Sequence, residues 1–403
     1  MPARPEDLGV SSERLERVAD ICHWYVDEGK FPGTSVLVAR RGEVVFRDTY
    51  GMVDIDEGRK IADDTIFRIF SMTKPIASVA LMQLVEQGKV LLQNPVHRFI
   101  PAFEDPKVYV SGGPKDYATE PAERPVTIHD ILTHMSGLSM TLQVDPVTKI
   151  YAEHGVRFGG RSLRLDEYSD LLGSLPLLFH PGTRWYYSAA TDIVGRVVEV
   201  VSGMTLDAYL EENIFGPLGM VDTAFWVPED KAQRFAELYT RRDRKLVPFQ
   251  LGGSNPYLKP PKMLSGAGGL VGTIDDYQRF VTCLLRGGEL DGVRVIGRKT
   301  LEYMTTNHLP GGVDLQTMGM ASATETAMPG VGFGLGFGVV IDPPANRSLS
   351  SRGEYLWGGA ASTAFWIDPV EEVTVIFMTQ LFPSATYPIR PQLRWVVNQA
   401  LID

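Results

Sequence analysis

The most strongly apolar stretch of the chain follows Ser71-Met72-Thr73-Lys74 and continues as PIASVALMQLVEQ to Gly88. Apolar residues recur there at helical spacing and also fill the other helical faces, a pattern typical of a buried helix. Pro75 is tolerated in a first helical turn and Gly88 favours a stop, so we predict a helix over residues 71–88. Ser71 and Lys74 lie one turn apart on it, and their side chains can therefore meet.

Patterns of period two, which are typical of β-strands, occur near both ends of the chain. They predict strands at residues 34–39, 44–49, 332–340, 365–368 and 373–379. Glycine at every second position from Gly332 to Gly338 predicts a single strand with one smooth face. Only the short link Arg40-Arg41-Gly42-Glu43 joins the first two strands, so we expect a hairpin and antiparallel pairing.

Helical patterns dominate the segment between these strands. Besides the buried helix, they predict helices at residues 15–26, 127–133, 190–201, 205–212, 275–285 and 391–401, whereas residues 104–124 form a surface excursion. We therefore predict an α/β (α+β) fold with one antiparallel sheet built from both termini and flanked by helices. Residues 1–75 plus 265–403 form the sheet domain, residues 76–264 form a mostly helical inserted domain, and the active site lies between them.

Composition and charge exclude several classes of function. The 403 residues are 44% hydrophobic and 22% charged, as in an ordinary globular protein, and the net charge of -10 argues against a nucleic-acid partner or an anionic membrane surface.

The N-terminus has no signal-like apolar core, and no apolar segment is long enough to span a bilayer, so we expect a cytoplasmic protein. Two cysteines cannot form a disulfide framework, and Cys22 is expected to be a buried free thiol.

Ser71 and Lys74 are the first candidates for chemistry. Burial disfavours the charged form of a lysine, and the positive end of a helix acts in the same direction. A neutral amine beside a hydroxyl is a general base beside a nucleophile. The pattern S-x-x-K alone is weak, because it arises by chance roughly once in a chain of this length.

Other hydrolase and metal motifs are absent from the sequence. No G-x-S-x-G occurs, which excludes the α/β-hydrolase type of serine enzyme. His129 and His134 are five residues apart, whereas paired ligands on one helical face are three or four apart, so we interpret both as structural. No metal or cofactor is predicted.

Two further stretches could complete a site. Pro181-Gly182-Thr183 leads through Tyr186 and Tyr187 into a helix, and a tyrosine at such a junction can face a cleft. The alternative is a pair of aromatic packing residues, and we interpret Tyr186 in that way. The glycines of Trp357-Gly358-Gly359, just before Ala360, would let a backbone N–H approach a substrate oxygen closely, as an oxyanion hole requires. The alternative interpretation is a tight hairpin turn.

Taken in order, the three stretches resemble the class C β-lactamases and penicillin-binding proteins, and most closely the family VIII carboxylesterases. Ser71-Met72-Thr73-Lys74 matches the S-x-x-K motif, Tyr187-Ser188-Ala189 holds the place of Y-x-N, and Trp357-Gly358-Gly359 that of K-T-G. The resemblance runs from about Gly33 to Asp368 and implies a β-lactamase-like fold. Ala189 and Trp357 replace the asparagine and lysine that bind peptides and β-lactams, which favours neutral esters.

The resemblance also implies roles for residues. Ser71 would attack a small-molecule ester of short-to-medium acyl chain, with Lys74 and Tyr187 as the acid–base pair, either of which could be the base. The oxyanion would lie between the N–H groups of Ser71 and Ala360, and Trp357, Gly358 and Gly359 would bind substrate. An acyltransferase, or a β-lactamase or D-amino-acid peptidase, is the alternative. The acyl pocket is expected from residues 104–124, 144–177 and 308–331, and the oligomeric state is left open.

Overall fold

A computed structural model describes residues 4–140, 142–157, 160, 162–250, 256–319 and 328–403. Its helices are α1 (Ser12–Asp27), α2 (Thr73–Glu86), α3 (Ile128–Leu132), α4 (Pro146–Glu153), α5 (Leu165–Ser174), α6 (Ala190–Ser202), α7 (Leu206–Leu210), α8 (Gly216–Leu218), α9 (Ile274–Leu285), α10 (Arg298–Met304), α11 (Pro343–Asn346) and α12 (Ile389–Asn398). Its strands are β1 (Gly33–Arg40), β2 (Glu43–Asp54), β3 (Arg59–Lys60), β4 (Phe67–Arg68), β5 (Lys107–Gly113), β6 (Asp116–Pro121), β7 (Tyr239–Arg242), β8 (Lys245–Pro248), β9 (Val271–Gly272), β10 (Glu289–Leu290), β11 (Val293–Arg294), β12 (Val331–Phe333), β13 (Gly338–Val340), β14 (Tyr355–Gly358), β15 (Ala364–Asp368), β16 (Val373–Met378) and β17 (Leu381–Phe382).

The main sheet has eight strands in the order β12-β13-β14-β15-β16-β1-β2-β3, and every neighbouring pair is antiparallel. N-terminal β1 lies directly beside C-terminal β16, with Val36 opposite Phe377. Every residue of β1 and β16 is buried, because helices cover the sheet. The predicted antiparallel sheet built from both termini is confirmed, whereas the division into two domains stays a prediction.

Two segments differ from their predicted form. The predicted strand 332–340 is wrong: β12 and β13 are two short strands that pair with each other around a turn. Gly336 has φ 91° in that turn, and a Cβ there would lie 2.3 Å from Ser78 Oγ, so the alternating glycines serve a turn packed against α2. The excursion at 104–124 is a largely exposed hairpin of β5 and β6.

Helix α2 is the buried helix that the sequence predicts. It begins two residues later than expected, because a 3₁₀ turn over Phe70–Met72 precedes it, and all of its residues from Thr73 to Leu84 are buried. It packs against α6 and carries Lys74 in its first turn. An apolar helix surrounded by protein thus holds one cationic side chain at its N-terminal end.

Cys22 and Cys283 are both buried and free, and burial raises the pKa of each thiol to about 12, so the expectation of a buried thiol at Cys22 is confirmed. In the described ranges, no helix has the length and apolarity needed to cross a membrane. The cytoplasmic location stays a prediction.

Candidate active site

Ser71 lies in the 3₁₀ turn that leads into α2, and Lys74 is the second residue of the helix. Lys74 Nζ is 3.4 Å from Ser71 Oγ, so the one-turn spacing brings the two groups together as predicted. Phe70, immediately before the serine, has φ 43°, which is a rare value for a bulky side chain. Backbone strain of this kind costs about 1–3 kcal/mol and concentrates at functional sites.

The Lys74 side chain is only 2% exposed and is held by three neighbours. Besides approaching Ser71, Nζ donates a hydrogen bond to the Ala267 carbonyl at 2.7 Å. It also lies 4.5 Å from the centre of the Tyr187 ring. The amine is therefore fixed between the serine, a backbone carbonyl and the face of the tyrosine.

Asp192, in the first turn of α6, organises the loop that holds this lysine. Its Oδ1 accepts hydrogen bonds from Ser265 Oγ at 2.6 Å and from the Ala267 N–H at 3.0 Å. The Ala267 residue thus bonds Asp192 through its N–H and Lys74 through its carbonyl. Burial raises the pKa of Asp192, and the hydrogen bond from Ser265 opposes that shift.

Tyr187 is buried in an aromatic cluster, and its hydroxyl accepts a hydrogen bond from Trp357 Nε1 at 3.3 Å. His134 packs edge-on against its ring at 5.0 Å between centroids. Burial, with the nearby Lys74 charge, holds the pKa of His134 well below its usual range, so this histidine is a neutral packing partner. Tyr186 points elsewhere, and its hydroxyl donates to Asp145 at 2.7 Å.

The motif Trp357-Gly358-Gly359 ends β14 and opens the turn to β15. A Cβ on Gly359 would lie 2.4 Å from the Ile69 carbonyl oxygen, so the absence of a side chain there lets the turn approach the segment just before Ser71. Ala360 is the next residue of the turn and is 5% exposed. Tyr187, Trp357 and the glycine turn therefore lie around the serine–lysine pair.

A cavity of about 70 Å³ opens beside Lys74 and Ala189. Its wall is mostly apolar, and its charged lining residues are Lys74, Arg157 and Asp192. The other described residues that line it are Phe70, Met140, Gly160, Tyr168, Ala189, Tyr257, Met263, Ser265, Ala267, Gly268 and Gly269.

The sequence of the chain matches a known family. Residues 18–399 match the family described as Beta-lactamase. The chain belongs to the β-lactamase family. Esterase EstB of Burkholderia gladioli is 32% identical over 397 residues, covering 93% of this chain and 91% of EstB. Protein Rv1367c of Mycobacterium tuberculosis is 35% identical over 374 residues, covering 91% of this chain and 89% of Rv1367c.

Among solved structures, the chain is similar to EstCE1, a hydrolase with promiscuous acyltransferase activity. The TM-score is 0.80 and the sequence identity is 27%, and the match covers 96% of this chain and 98% of EstCE1. The resemblance to family VIII carboxylesterases within the class C β-lactamase and penicillin-binding-protein superfamily is thus confirmed. The protein is a serine hydrolase of the β-lactamase fold.

The lining of the cavity beside Lys74 includes residues that the sequence analysis did not predict. Of the three segments expected to line the acyl pocket, 144–177 contributes Arg157, Gly160 and Tyr168 to this cavity, and residues 320–327 of the third segment lie outside the described residues. Residues 256–269, not predicted to take part, supply a large share of its wall. The sequence analysis also did not identify Asp192 as a residue of the site. An aspartate among the apolar residues of a predicted helix could have indicated it.

The histidines considered as metal ligands occupy other places. His129 Nε2 lies 3.2 Å from His308 Nδ1, and burial lowers the pKa of both. His134 belongs to the aromatic cluster around Tyr187. Within the part of the chain that the structure describes, no three His, Cys, Asp or Glu side chains come together as a metal site would require.

Proposed function

We propose that this protein hydrolyses carboxylic esters through an acyl-enzyme on Ser71. The observation that carries the proposal is the 3.4 Å approach of Lys74 Nζ to Ser71 Oγ, with the amine buried beside Tyr187. A nucleophile within reach of a base that a third group orients is the recurring arrangement of covalent hydrolases.

In the proposed reaction, the Ser71 hydroxyl gives its proton to the Lys74–Tyr187 pair and attacks the ester carbonyl. The two side chains act as one unit, so the base is assigned to the pair. The same pair then protonates the departing alcohol. Water, activated by the pair, releases the acid and restores Ser71.

The developing oxyanion would be bound by the backbone N–H groups of Ser71 and Ala360. Support comes from the close approach of Gly359 to Ile69, which brings the two backbone segments together. Donors aimed at the charge that develops in the transition state are often the largest single contribution to catalysis.

The residues around the pair favour neutral esters with a short acyl group. Ala189 has no side-chain amide and Trp357 has no cationic group with which to bind a peptide or the carboxylate of a β-lactam. The indole N–H of Trp357 is already donated to the Tyr187 hydroxyl. We propose that the acyl chain lies in the cavity of about 70 Å³ beside Lys74, which has room for a short chain. We therefore propose acetyl to butyryl esters as the best substrates.

A panel of p-nitrophenyl esters from acetate to decanoate, run beside nitrocefin, tests this function. We expect the highest kcat/KM for acetate to butyrate and little nitrocefin turnover. Rapid nitrocefin hydrolysis with weak ester hydrolysis would favour a β-lactamase instead, and no turnover of any ester would contradict the proposal.

Acyl transfer is the second candidate, because the similar EstCE1 is a hydrolase with promiscuous acyltransferase activity. A transferase would pass the acyl group from Ser71 to an alcohol instead of water. Adding increasing concentrations of short alcohols and measuring the ratio of new ester to free acid distinguishes the two reactions. A hydrolase gives mainly acid at every alcohol concentration below the molar range.

A further inference from the structure

An arginine from the C-terminal helix holds the turn between β14 and β15. Arg390, in the first turn of α12, donates from Nη2 to the carbonyl oxygens of Gly359 and Thr363, both at 2.8 Å. The turn is also closed internally, since the Gly359 N–H donates to the Thr363 carbonyl at 2.9 Å. The guanidinium therefore binds both ends of the turn that contains Ala360.

The Gly359 carbonyl belongs to the same planar peptide unit as the Ala360 N–H. In a trans peptide these two groups point in opposite directions, so a bond that fixes the oxygen also fixes the direction of the N–H. A charged donor on the oxygen polarises the unit and makes its N–H a better donor. We infer that Arg390 is a positioning residue, which orients and polarises the Ala360 N–H as a donor to the oxyanion.

Gly358 provides the room that this contact needs. A Cβ there would lie 2.5 Å from Nη2 of Arg390 and 2.6 Å from its Cζ. The two glycines of Trp357-Gly358-Gly359 thus have separate uses. Gly359 admits the turn to the segment before Ser71, and Gly358 admits the guanidinium to the turn.

A purely structural role for Arg390, tying α12 to the sheet, is the competing explanation. Arg394, one helical turn further along α12, offers a matched control. It pairs with the buried Glu354, with Nη2 2.8 Å from Oε1, and the contacts described for it do not include the turn at 359–363. Replacing Arg394 therefore perturbs the same helix without touching the peptide of Ala360.

The experiment compares Arg390→Met, Arg390→Lys and Gly358→Ala with the control Arg394→Met. For each, active sites are titrated with a fluorophosphonate, and kcat, KM and the Ki of a trifluoromethyl ketone are measured per titrated site. This ketone adds to Ser71 as a hemiketal oxyanion, so its affinity reports the oxyanion donors directly. Thermal unfolding reports stability separately.

Complete loss of one oxyanion donor lowers kcat by about 10²–10³-fold. In Arg390→Met the Ala360 N–H is misdirected but still present, so we expect a smaller fall in kcat, of about 10- to 100-fold. In Arg390→Met, KM should change little and the ketone should bind more weakly by a similar factor. Arg390→Lys should recover part of the lost kcat and part of the lost affinity for the ketone. Gly358→Ala, whose Cβ would meet the guanidinium and, at 2.8 Å, the Thr363 carbonyl oxygen that the guanidinium also binds, should shift kcat and Ki in the same direction. Arg394→Met should lower stability while kcat per site is retained.

The inference is overturned if Arg390→Met loses no more kcat and ketone affinity per site than Arg394→Met. If Arg390→Met does not fold, unchanged kcat and Ki in Gly358→Ala overturn it instead. The inference rests on the proposed acyl-enzyme, and the two fail differently: a Ser71→Ala variant with full activity refutes the proposed function, whereas an inactive Ser71→Ala with an unaffected Arg390→Met refutes the role of Arg390 alone.

Discussion

Replacing Asp192 should damage both stability and catalysis, although Asp192 does not itself contact Ser71 in the described contacts. In Asp192→Ala, the Ser265 hydroxyl and the Ala267 N–H lose the oxygen to which both donate. A buried donor left without an acceptor costs about 1–3 kcal/mol, so the two together give about 2–6 kcal/mol. Because Asp192 borders the cavity, water can replace part of the loss, and we expect the lower half of that range.

The catalytic effect passes through the backbone. Ala267 accepts the hydrogen bond of Lys74 Nζ at 2.7 Å, and once its N–H is released, the carbonyl no longer has a fixed position. A displacement of about 1 Å in a catalytic group can cost about 10²-fold in rate. We therefore expect kcat of Asp192→Ala to fall by about that factor, with a smaller change in KM.

Asp192→Asn is the matched variant, because its amide oxygen can still accept both hydrogen bonds. Urea unfolding and p-nitrophenyl acetate kinetics, normalised to titrated active sites, would be measured for both variants. The asparagine variant should remain close to the wild type in stability and retain most of its kcat. An Asp192→Ala protein that folds and keeps full kcat per site would refute the idea that this loop positions Lys74.

Two further predictions concern the cavity and a buried acid. Met263→Ala enlarges the cavity proposed to hold the acyl chain, so kcat/KM for p-nitrophenyl octanoate should rise relative to acetate; an unchanged ratio would mean that the acyl chain binds elsewhere. Burial raises the pKa of Glu354 from 4.5 to about 7 despite its Arg394 partner. The folded protein then keeps a proton that the unfolded chain loses, so the free energy of unfolding should fall between pH 4.5 and 7, by at most about 3 kcal/mol, relative to Glu354→Gln. Parallel pH dependences of the two proteins in urea unfolding would contradict this.

The sequence was informative where contacts are local or where the pattern reports burial. The approach of Ser71 and Lys74 follows from their one-turn spacing, and the burial of α2 follows from its apolar faces. The joining of the two ends of the chain in one sheet, seen in the pair β1 and β16, was predictable because the predicted strands lay near the two ends of the chain.

Contacts between distant parts of the chain could not be derived in this way. The Ala267 carbonyl reaches Lys74 from 193 residues away, and nothing in the local pattern of either segment indicates it. The hydrogen bond between Trp357 and Tyr187 spans 170 residues, and the family resemblance assigned both residues to the site without predicting this bond. The glycines before Gly338 misled the strand prediction, because an alternating pattern does not reveal that Gly336 adopts a positive φ against Ser78.

The central claim is that Ser71 carries the acyl group, and covalent labelling tests it most directly. The protein is incubated with a fluorophosphonate or a slowly turned-over ester, and the modified residue is located by peptide mass spectrometry, with Ser71→Ala treated in parallel. The account predicts one adduct, on Ser71, with both the label and ester hydrolysis lost in the alanine variant. An adduct on another serine, or a Ser71→Ala variant that hydrolyses esters at the wild-type rate, would contradict it.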